Sequence, residues 1–124
     1  MVAASRGGTW HRVCPASELP PGTRRLVTVG RRSVGVFNVG GRHYALRNVC
    51  PHMGGPLCLG TVGGAMLPSR PYEYVFAMED RVLRCPWHGW AFDLETGRAL
   101  FGIADARVRT YRVRVAGGDV EVEL

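Results

Sequence analysis

The sequence contains no run of apolar residues long enough to cross a membrane. A transmembrane helix needs roughly 18 or more consecutive apolar residues, and none of the 124 residues belongs to such a run. The N-terminal residues 1–8 also lack the apolar core of a secretory signal peptide. These two absences predict a soluble protein that has no membrane anchor and lies in the cytoplasm.

The sequence also lacks the 3.6-residue apolar repeat of amphipathic helices. Its 17 glycines and 8 prolines instead indicate many turns, and valine is frequent. A chain of 124 residues is large enough for one domain with its own core. The sequence therefore predicts an all-β protein with a flexible tail over residues 1–9 and a single domain over residues 10–124.

Lysine is absent, so arginine supplies all 16 basic residues, and with 10 acidic residues the formal net charge is +6. No basic stripe interleaved with aromatic residues is present, which argues against a nucleic-acid partner. The arginines either form a solvated β surface or steer a partner with an acidic docking surface. Those that are adjacent or closely spaced are Arg24-Arg25, Arg31-Arg32 and Arg107, Arg109, Arg112 and Arg114.

Cysteine is scarce, and two of the four cysteines belong to the motifs described below. The other two, Cys14 and Cys58, are far apart and show no spacing typical of a disulfide framework. We expect both to be buried, reduced thiols, as is usual in a reducing compartment.

Apolar alternation and turn signals predict the strands. The predicted strands cover residues 10–13, 24–29, 33–39, 42–46, 72–76 and 81–84, with turns at Gly40-Gly41 and Glu79-Asp80. A C-terminal hairpin is predicted to turn at Gly117-Gly118, which sets Val113 opposite Val122, Arg114 opposite Glu121 and Arg112 opposite Glu123. This register places apolar residues on one face and opposite charges on the other.

The most informative residues form two short clusters of metal ligands, Cys50-Pro51-His52 and Cys85-Pro86-Trp87-His88. Each cluster supplies one thiolate and one imidazole. Two cysteines and two histidines could hold one zinc ion or an iron–sulfur cluster. Gly54-Gly55 and Gly89 follow the two clusters and allow backbone amides to approach such a centre closely.

The flanking residues favour iron and sulfur. The segment 85–93, Cys-Pro-Trp-His-Gly-Trp-Ala-Phe-Asp, and the segment 44–52 that leads into the first cluster resemble the two loops of Rieske proteins, above all those of ring-hydroxylating oxygenases and their ferredoxins. The resemblance begins at about Trp10 and implies an antiparallel β-sandwich or barrel with a cluster-binding subdomain of two loops at about 47–93. It also implies one [2Fe–2S] cluster per chain, with two thiolates on one iron and two imidazoles on the other; the ligands would be Cys50, His52, Cys85 and His88.

The resemblance implies a ferredoxin that carries one electron from a flavin-dependent reductase to a terminal oxygenase or a similar oxidoreductase. Such a carrier needs no catalytic residue of its own, and the chain has no room for an oxygenase catalytic domain. Two alternatives remain open. One is a small Rieske subunit bound stably in an oxidoreductase complex, either nitrite-reductase-like or an oxygenase, and the other is a zinc-stabilised interaction module.

Two departures from the Rieske pattern concern the subtype. In respiratory Rieske proteins, each loop carries a further cysteine and the two form a disulfide; the matching positions here are Gly55 and Trp87. Those proteins also have a serine and a tyrosine hydroxyl that donate hydrogen bonds to the cluster, where this chain has Trp90 and Phe92. Fewer hydrogen bonds stabilise the reduced cluster less, which predicts a reduction potential of roughly −150 mV, near the low end of the Rieske range.

A third departure is the interval of 32 residues between His52 and Cys85, which is longer than the resemblance leads us to expect. The surplus is predicted to lie within residues 60–80. It is interpreted as an elongated surface hairpin or as a flap beside the cluster that contributes to partner recognition.

Several residues close to the motifs are predicted to have structural roles. Cys58 is predicted to be a packing residue, because the four ligands are complete without it, and His11 and His43 have no ligand companions. Asp93 is predicted to anchor a turn. The aromatic and apolar residues around the loops are predicted to shield the cluster (Trp87 and Trp90) or to pack beneath it (Phe92 and Leu57).

Overall fold

A computed structural model describes residues 8–51, 54–70, 73–87, 90–100 and 106–124, with the backbone alone over 64–70 and 73–80. The described residues form ten strands: β1 (Trp10–Pro15), β2 (Thr23–Val29), β3 (Arg32–Val39), β4 (Arg42–Arg47), β5 (Thr61–Arg70), β6 (Glu73–Arg84), β7 (Ala91–Asp93), β8 (Thr110–Tyr111), β9 (Val113–Ala116) and β10 (Asp119–Glu123). Two short 3-10 helices cover Ala16–Glu18 and Leu57–Leu59. No helix in these ranges has the length and apolarity needed to span a bilayer.

The strands form three antiparallel sheets, which confirms the all-β prediction. Their orders are β1-β10-β9, β2-β3-β4-β8 and β5-β6-β7. Two-residue glycine turns join β3 to β4 and β9 to β10, and all four of these glycines have positive φ. Turns of this kind match the right-handed twist of the strands they connect.

The predicted register of the C-terminal hairpin is confirmed. Val113 pairs with Val122 and Arg114 with Glu121. The division into an apolar and a charged face holds only in part, because Val115 is half exposed and the Glu123 side chain is buried. The cause is the pairing of β10 with β1 on its other side, which covers Glu123 while the edge strand β9 stays open.

The predicted Glu79-Asp80 turn is wrong. Strand β6 runs without a break from Glu73 to Arg84 and pairs with β5 over most of its length. The register shifts between Gly63, which pairs with Val82, and Ala65, which pairs with Ala77. Several more residues of β6 than of β5 lie between these two pairs, so the acidic residues belong to a bulge. The long interval between the motifs therefore forms an elongated hairpin, as one of the two interpretations proposed.

Two main hydrophobic clusters occupy the described part of the chain. The first lies under the two motif loops and includes Phe37, Leu46 and Leu57; the second lies between the sheets further from the loops and includes Val34, Val36 and Val120. Residues 1–7 of the predicted tail lie outside the described residues. Thr9 exchanges two backbone hydrogen bonds with Leu124, of 2.8 and 3.0 Å, so β-type pairing already begins there.

Candidate metal centre

The two motif loops are closed by equivalent backbone hydrogen bonds. The amide of Cys50 donates to the carbonyl of Gly55, and the amide of Cys85 donates to the carbonyl of Trp90, each at 2.8 Å. In both loops the acceptor lies five residues beyond the cysteine. Gly54 has φ of +76° and its amide donates to the carbonyl of Cys50 at 2.8 Å, which tightens the first loop further.

Both motif cysteines are buried in the same hydrophobic cluster, with exposures of 1% for Cys50 and 2% for Cys85. Leu57 and Phe92 are fully buried in this cluster, as predicted for residues that pack beneath the loops. The structure therefore brings together two thiol-bearing residues that are far apart in sequence. The two predicted histidine ligands, His52 and His88, lie outside the described residues.

The second loop rests on the first through an aromatic ring. A Cβ atom added at Gly55 would lie 2.8 Å from Cδ2 of Trp87, so the indole occupies the space that a side chain at Gly55 would need. Trp87 nevertheless remains 56% exposed, so its other face is open to solvent. Trp90 is partly buried and packs against the cluster under the loops. A shielding role for the two tryptophans stays a prediction.

Asn48 supports the first loop from below, a role that the sequence alone did not reveal. Its side-chain oxygen accepts a hydrogen bond from the backbone amide of Cys58 at 2.8 Å, and its backbone amide donates to the carbonyl of Ser33 at 2.8 Å. Asn48 thus joins β3, the start of the loop and the 3-10 helix Leu57–Leu59. Asn48 belongs to the segment that leads into the first motif, but a single sequence does not show whether such a residue connects distant elements or only forms a turn.

Arg24 is the second contributor that the sequence did not reveal. Its guanidinium donates to the carbonyls of Cys58, at 2.9 Å, and of Gly60, and it lies 5.1 Å from the centroid of the Phe37 ring. From the sequence, the adjacent arginines at 24 and 25 were interpreted as part of a solvated surface or of a patch that steers an acidic partner, and neither interpretation included support of the first loop. The register of β2 against β3 sets Arg24 opposite Phe37 and aims it at the chain that leaves the first loop.

Asp93 anchors the turn that follows β7, as predicted. Its carboxylate accepts hydrogen bonds from the amide of Glu95 at 2.9 Å and from Arg81 Nε at 3.0 Å. The Asp93 side chain is almost fully buried, whereas Arg81 is one-third exposed. The pair joins β6 to β7, the two strands on either side of the second loop.

Cys58 is excluded as a ligand by its surroundings. Cys58 is fully buried, its Sγ donates to the carbonyl of Leu46 at 3.4 Å, and a Cβ at Gly35 would meet its Sγ at 2.6 Å. Burial raises the pKa of the Cys58 thiol to about 12, so it stays protonated at neutral pH. Partial burial also lowers the pKa of His43. The prediction that Cys58 packs in the core is confirmed, and Cys14 is likewise buried and forms no disulfide.

The arrangement suits a metal centre that needs thiolates in a dry environment. Cys50 and Cys85 present soft sulfur donors at the start of two loops that are each closed by a backbone hydrogen bond, and buried apolar residues pack beneath them. An all-β domain whose two cysteine-bearing loops close over one apolar cluster is the framework of a thiolate-ligated metalloprotein. The described residues are compatible with a zinc ion as well as with an iron–sulfur cluster.

Comparison with known proteins decides between them. A family model described as the Rieske [2Fe-2S] domain matches residues 9–112, and the chain belongs to this family. It is similar to ferredoxin CarAc of Metapseudomonas resinovorans, with 32% identity over 91% of this chain and 92% of the relative. It is equally similar to the 3-phenylpropionate/cinnamic acid dioxygenase ferredoxin subunit of Escherichia coli K12, with 32% identity over 90% of both chains.

A solved structure extends the likeness to the fold. It is a complex of reduced oxygenase and oxidised ferredoxin in carbazole 1,9a-dioxygenase, and the matched chain gives a TM-score of 0.73 and 31% identity over 92% of both chains. Family membership assigns one [2Fe–2S] cluster to this chain. Family membership therefore excludes the alternative in which the two motifs form a zinc-stabilised module.

Proposed function

We propose that this protein is a Rieske ferredoxin that accepts one electron from a flavin-dependent reductase and passes it to a terminal oxygenase in the cytoplasm. The observation that carries the proposal is the burial of Cys50 and Cys85 in one apolar cluster, under two loops closed by equivalent hydrogen bonds. The similarity to ferredoxins of dioxygenase systems supports it. The buried, unbridged Cys14 and Cys58 suit a reducing compartment.

We assign the cluster to Cys50, His52, Cys85 and His88. When bound, the [2Fe–2S] cluster supplies a reversible one-electron couple. Residues of the chain itself support the two loops: Asn48 and Arg24 bind the first, and the Asp93–Arg81 pair joins the strands beside the second. Supporting contacts of this kind preorganise a ligand-binding site.

The protein needs no acid, base or nucleophile for this role. The substrate is an electron, and any bond-making on an organic substrate takes place in the oxygenase. Trp87 belongs to the second loop, and its exposed side chain provides apolar surface that a partner can cover.

The test is anaerobic reconstitution of the purified chain with iron and sulfide, followed by visible absorption and EPR spectroscopy. We expect a Rieske-type [2Fe–2S] spectrum and the uptake of one electron per chain in a reductive titration. Reoxidation by a purified oxygenase component then tests the carrier role. A chain that takes up no [2Fe–2S] cluster would contradict the proposal. Isolation of the native protein only as a fixed subunit of a larger oxidoreductase would favour the stable-subunit alternative instead.

A further inference from the structure

The ion pairs among the described residues leave several arginines without a countercharge. Every carboxylate whose side chain is described takes part in an ion pair, and these are Glu18, Asp93, Glu95, Asp119, Glu121 and Glu123. Their arginine partners are Arg12, Arg25, Arg81, Arg112 and Arg114. Eight exposed arginines have no ion pair with a described side chain. Four of them, which the backbone pairing sets opposite one another, are called the arginine row below: Arg47, Arg98, Arg107 and Arg109.

The strand register places the arginine row on neighbouring strands. Leu46 pairs with Thr110, and the amide of Arg47 donates to the carbonyl of Arg109 at 2.9 Å, so the next step of this register sets Arg47 opposite Arg109. An isolated antiparallel bridge sets Arg98 opposite Arg107. Arg107 and Arg109 flank Val108, which is buried, so both arginines point away from the core.

Two like charges directly opposite one another are unfavourable in an antiparallel pair. Later arginines in the same segment face opposite charges instead. Arg112 binds Glu123 and Arg114 binds Glu121, with N–O distances of 2.9 and 2.7 Å. The run of arginines from 107 to 114 therefore divides into two halves: Arg112 and Arg114 are neutralised within the chain, whereas Arg107 and Arg109 pair with no described carboxylate. Arg109 has only the face of Tyr111, 5.7 Å away, as a described neighbour for its charge.

Arg47 lies at the end of the sheet β2-β3-β4-β8 from which the first motif loop departs, and Arg109 lies opposite it. Arg47 is the last residue of β4, and the chain reaches Cys50 three residues later. Between them, Val49 is 42% exposed, and Trp87 on the other loop is 56% exposed. Trp87 packs against Gly55 of the first loop, so both exposed apolar side chains belong to the loops that follow Arg47 in this part of the fold. Exposed apolar side chains combined with exposed arginines match the composition of protein interfaces, in which an apolar centre is surrounded by a polar rim.

We propose that the arginine row, together with Val49 and Trp87, is the docking surface for a redox protein with an acidic face. The electrostatic field of the row orients the loop end of the domain towards that face, and one electron then crosses without any bond being made or broken. This inference rests on the proposed function, since it names the surface chemistry of the partner. Carboxylates of the partner provide the countercharge that the described residues of this chain do not.

The experiment uses a carboxylate-terminated monolayer on gold as a surrogate for an acidic protein surface. The reconstituted protein is applied at low ionic strength, its adsorbed mass is measured by surface plasmon resonance, and the electron-transfer rate by voltammetry. The test variant is Arg47→Gln with Arg109→Gln. The control is Arg42→Gln with Arg114→Gln, which removes the same charge from exposed positions further from the loops.

We expect the test variant to lose about tenfold in electron-transfer rate and much of its salt-sensitive adsorption, while the control stays close to the wild type. Equal losses in both variants would show that net charge alone is responsible and would overturn the docking proposal. The same holds if the wild type binds an ammonium-terminated monolayer as well as the carboxylate one. A failure of the proposed function is distinguishable, because the protein would then lack a voltammetric signal on every surface while adsorption could still be measured.

Discussion

The indole of Trp87 lies directly against the backbone of Gly55, at the two positions where respiratory Rieske proteins have disulfide cysteines. A Cβ atom at Gly55 would approach Cδ2 of Trp87 to 2.8 Å. The covalent link between loops is thus replaced by van der Waals contact between a ring and a glycine. Such a contact depends on the absence of a side chain at residue 55, and reduction cannot break it.

The first prediction concerns this contact. Gly55→Ala should force the indole off the first loop and lower the free energy of unfolding by about 1–3 kcal/mol, as overpacked sites do. The loss of visible absorption on heating should begin at a lower temperature. Trp87→Ala in the same chain removes the clash, so the double variant should lose less than the sum of the two single changes. Strict additivity would show that the two residues do not interact.

The second prediction separates the packing cysteine from the proposed ligand. Cys58→Ala should keep the full [2Fe–2S] absorption and lose about 1–2 kcal/mol of stability, since it removes one buried atom and a weak hydrogen bond. Cys85→Ala should abolish stoichiometric cluster binding. Iron and sulfide analysis of both variants, reconstituted side by side, checks this. Retention of the cluster in Cys85→Ala would contradict the ligand assignment.

The third prediction concerns the pair beside the second loop. Asp93→Asn leaves Arg81 without its buried partner and should lower the free energy of unfolding by about 1–3 kcal/mol. Glu95→Gln is the control, because Glu95 is half exposed, and an exposed ion pair contributes less than about 1 kcal/mol. Denaturant unfolding of both variants gives the comparison. Equal effects would mean that Asp93 does not anchor the turn.

The fourth prediction is a pH dependence. The Arg112 guanidinium holds the pKa of Glu123 below its usual range through a bidentate hydrogen bond, with both distances at 2.9 Å. A depressed carboxyl pKa contributes stability that is present above the unfolded value of roughly 4.3 and is lost as the pH falls through the folded value. Wild type should therefore be more stable than Glu123→Gln at pH 7, and the difference should shrink on acidification. A difference that stays constant down to about pH 3 would exclude this ionisation as its source.

The fifth prediction concerns the reduction potential. Phe92 is fully buried under the loops and has no hydroxyl to donate to the cluster. We expect a midpoint near the low end of the Rieske range, roughly −150 mV. Dithionite should then reduce the protein, while the mild reductant ascorbate should leave it oxidised. A clearly positive midpoint in an EPR-monitored titration would rule out this assignment of subtype.

Local patterns in the sequence predicted those elements whose geometry is set locally. The Gly117-Gly118 turn fixes the register of its hairpin, so the pairing of Arg114 with Glu121 followed directly from the sequence. The Glu79-Asp80 turn failed because acidic neighbours occur in bulges as well as in turns. Only the pairing of β6 with β5, a non-local interaction, decides which of the two forms.

The candidate site shows the same division. Motif spacing indicated all four proposed ligands, and the structure places the two cysteines in the same hydrophobic cluster. The supporting contacts of Asn48 and Arg24 could not be predicted, because each depends on how distant strands are aligned. The arginines were ambiguous for a similar reason. Their ion pairs follow from cross-strand register, which a single sequence specifies only where a tight turn sets it.

The reach of Arg24 from β2 to the carbonyls of Cys58 and Gly60 also bears on how the domain melts. Residues that leave the first loop are bound to a strand that pairs along its length with β3, which itself contributes residues to both hydrophobic clusters. The two hydrophobic clusters are therefore linked, and one should not unfold before the other. We expect a single calorimetric transition in which iron release and loss of the β-sheet signal coincide, so that the bound cofactor reports the integrity of the whole domain.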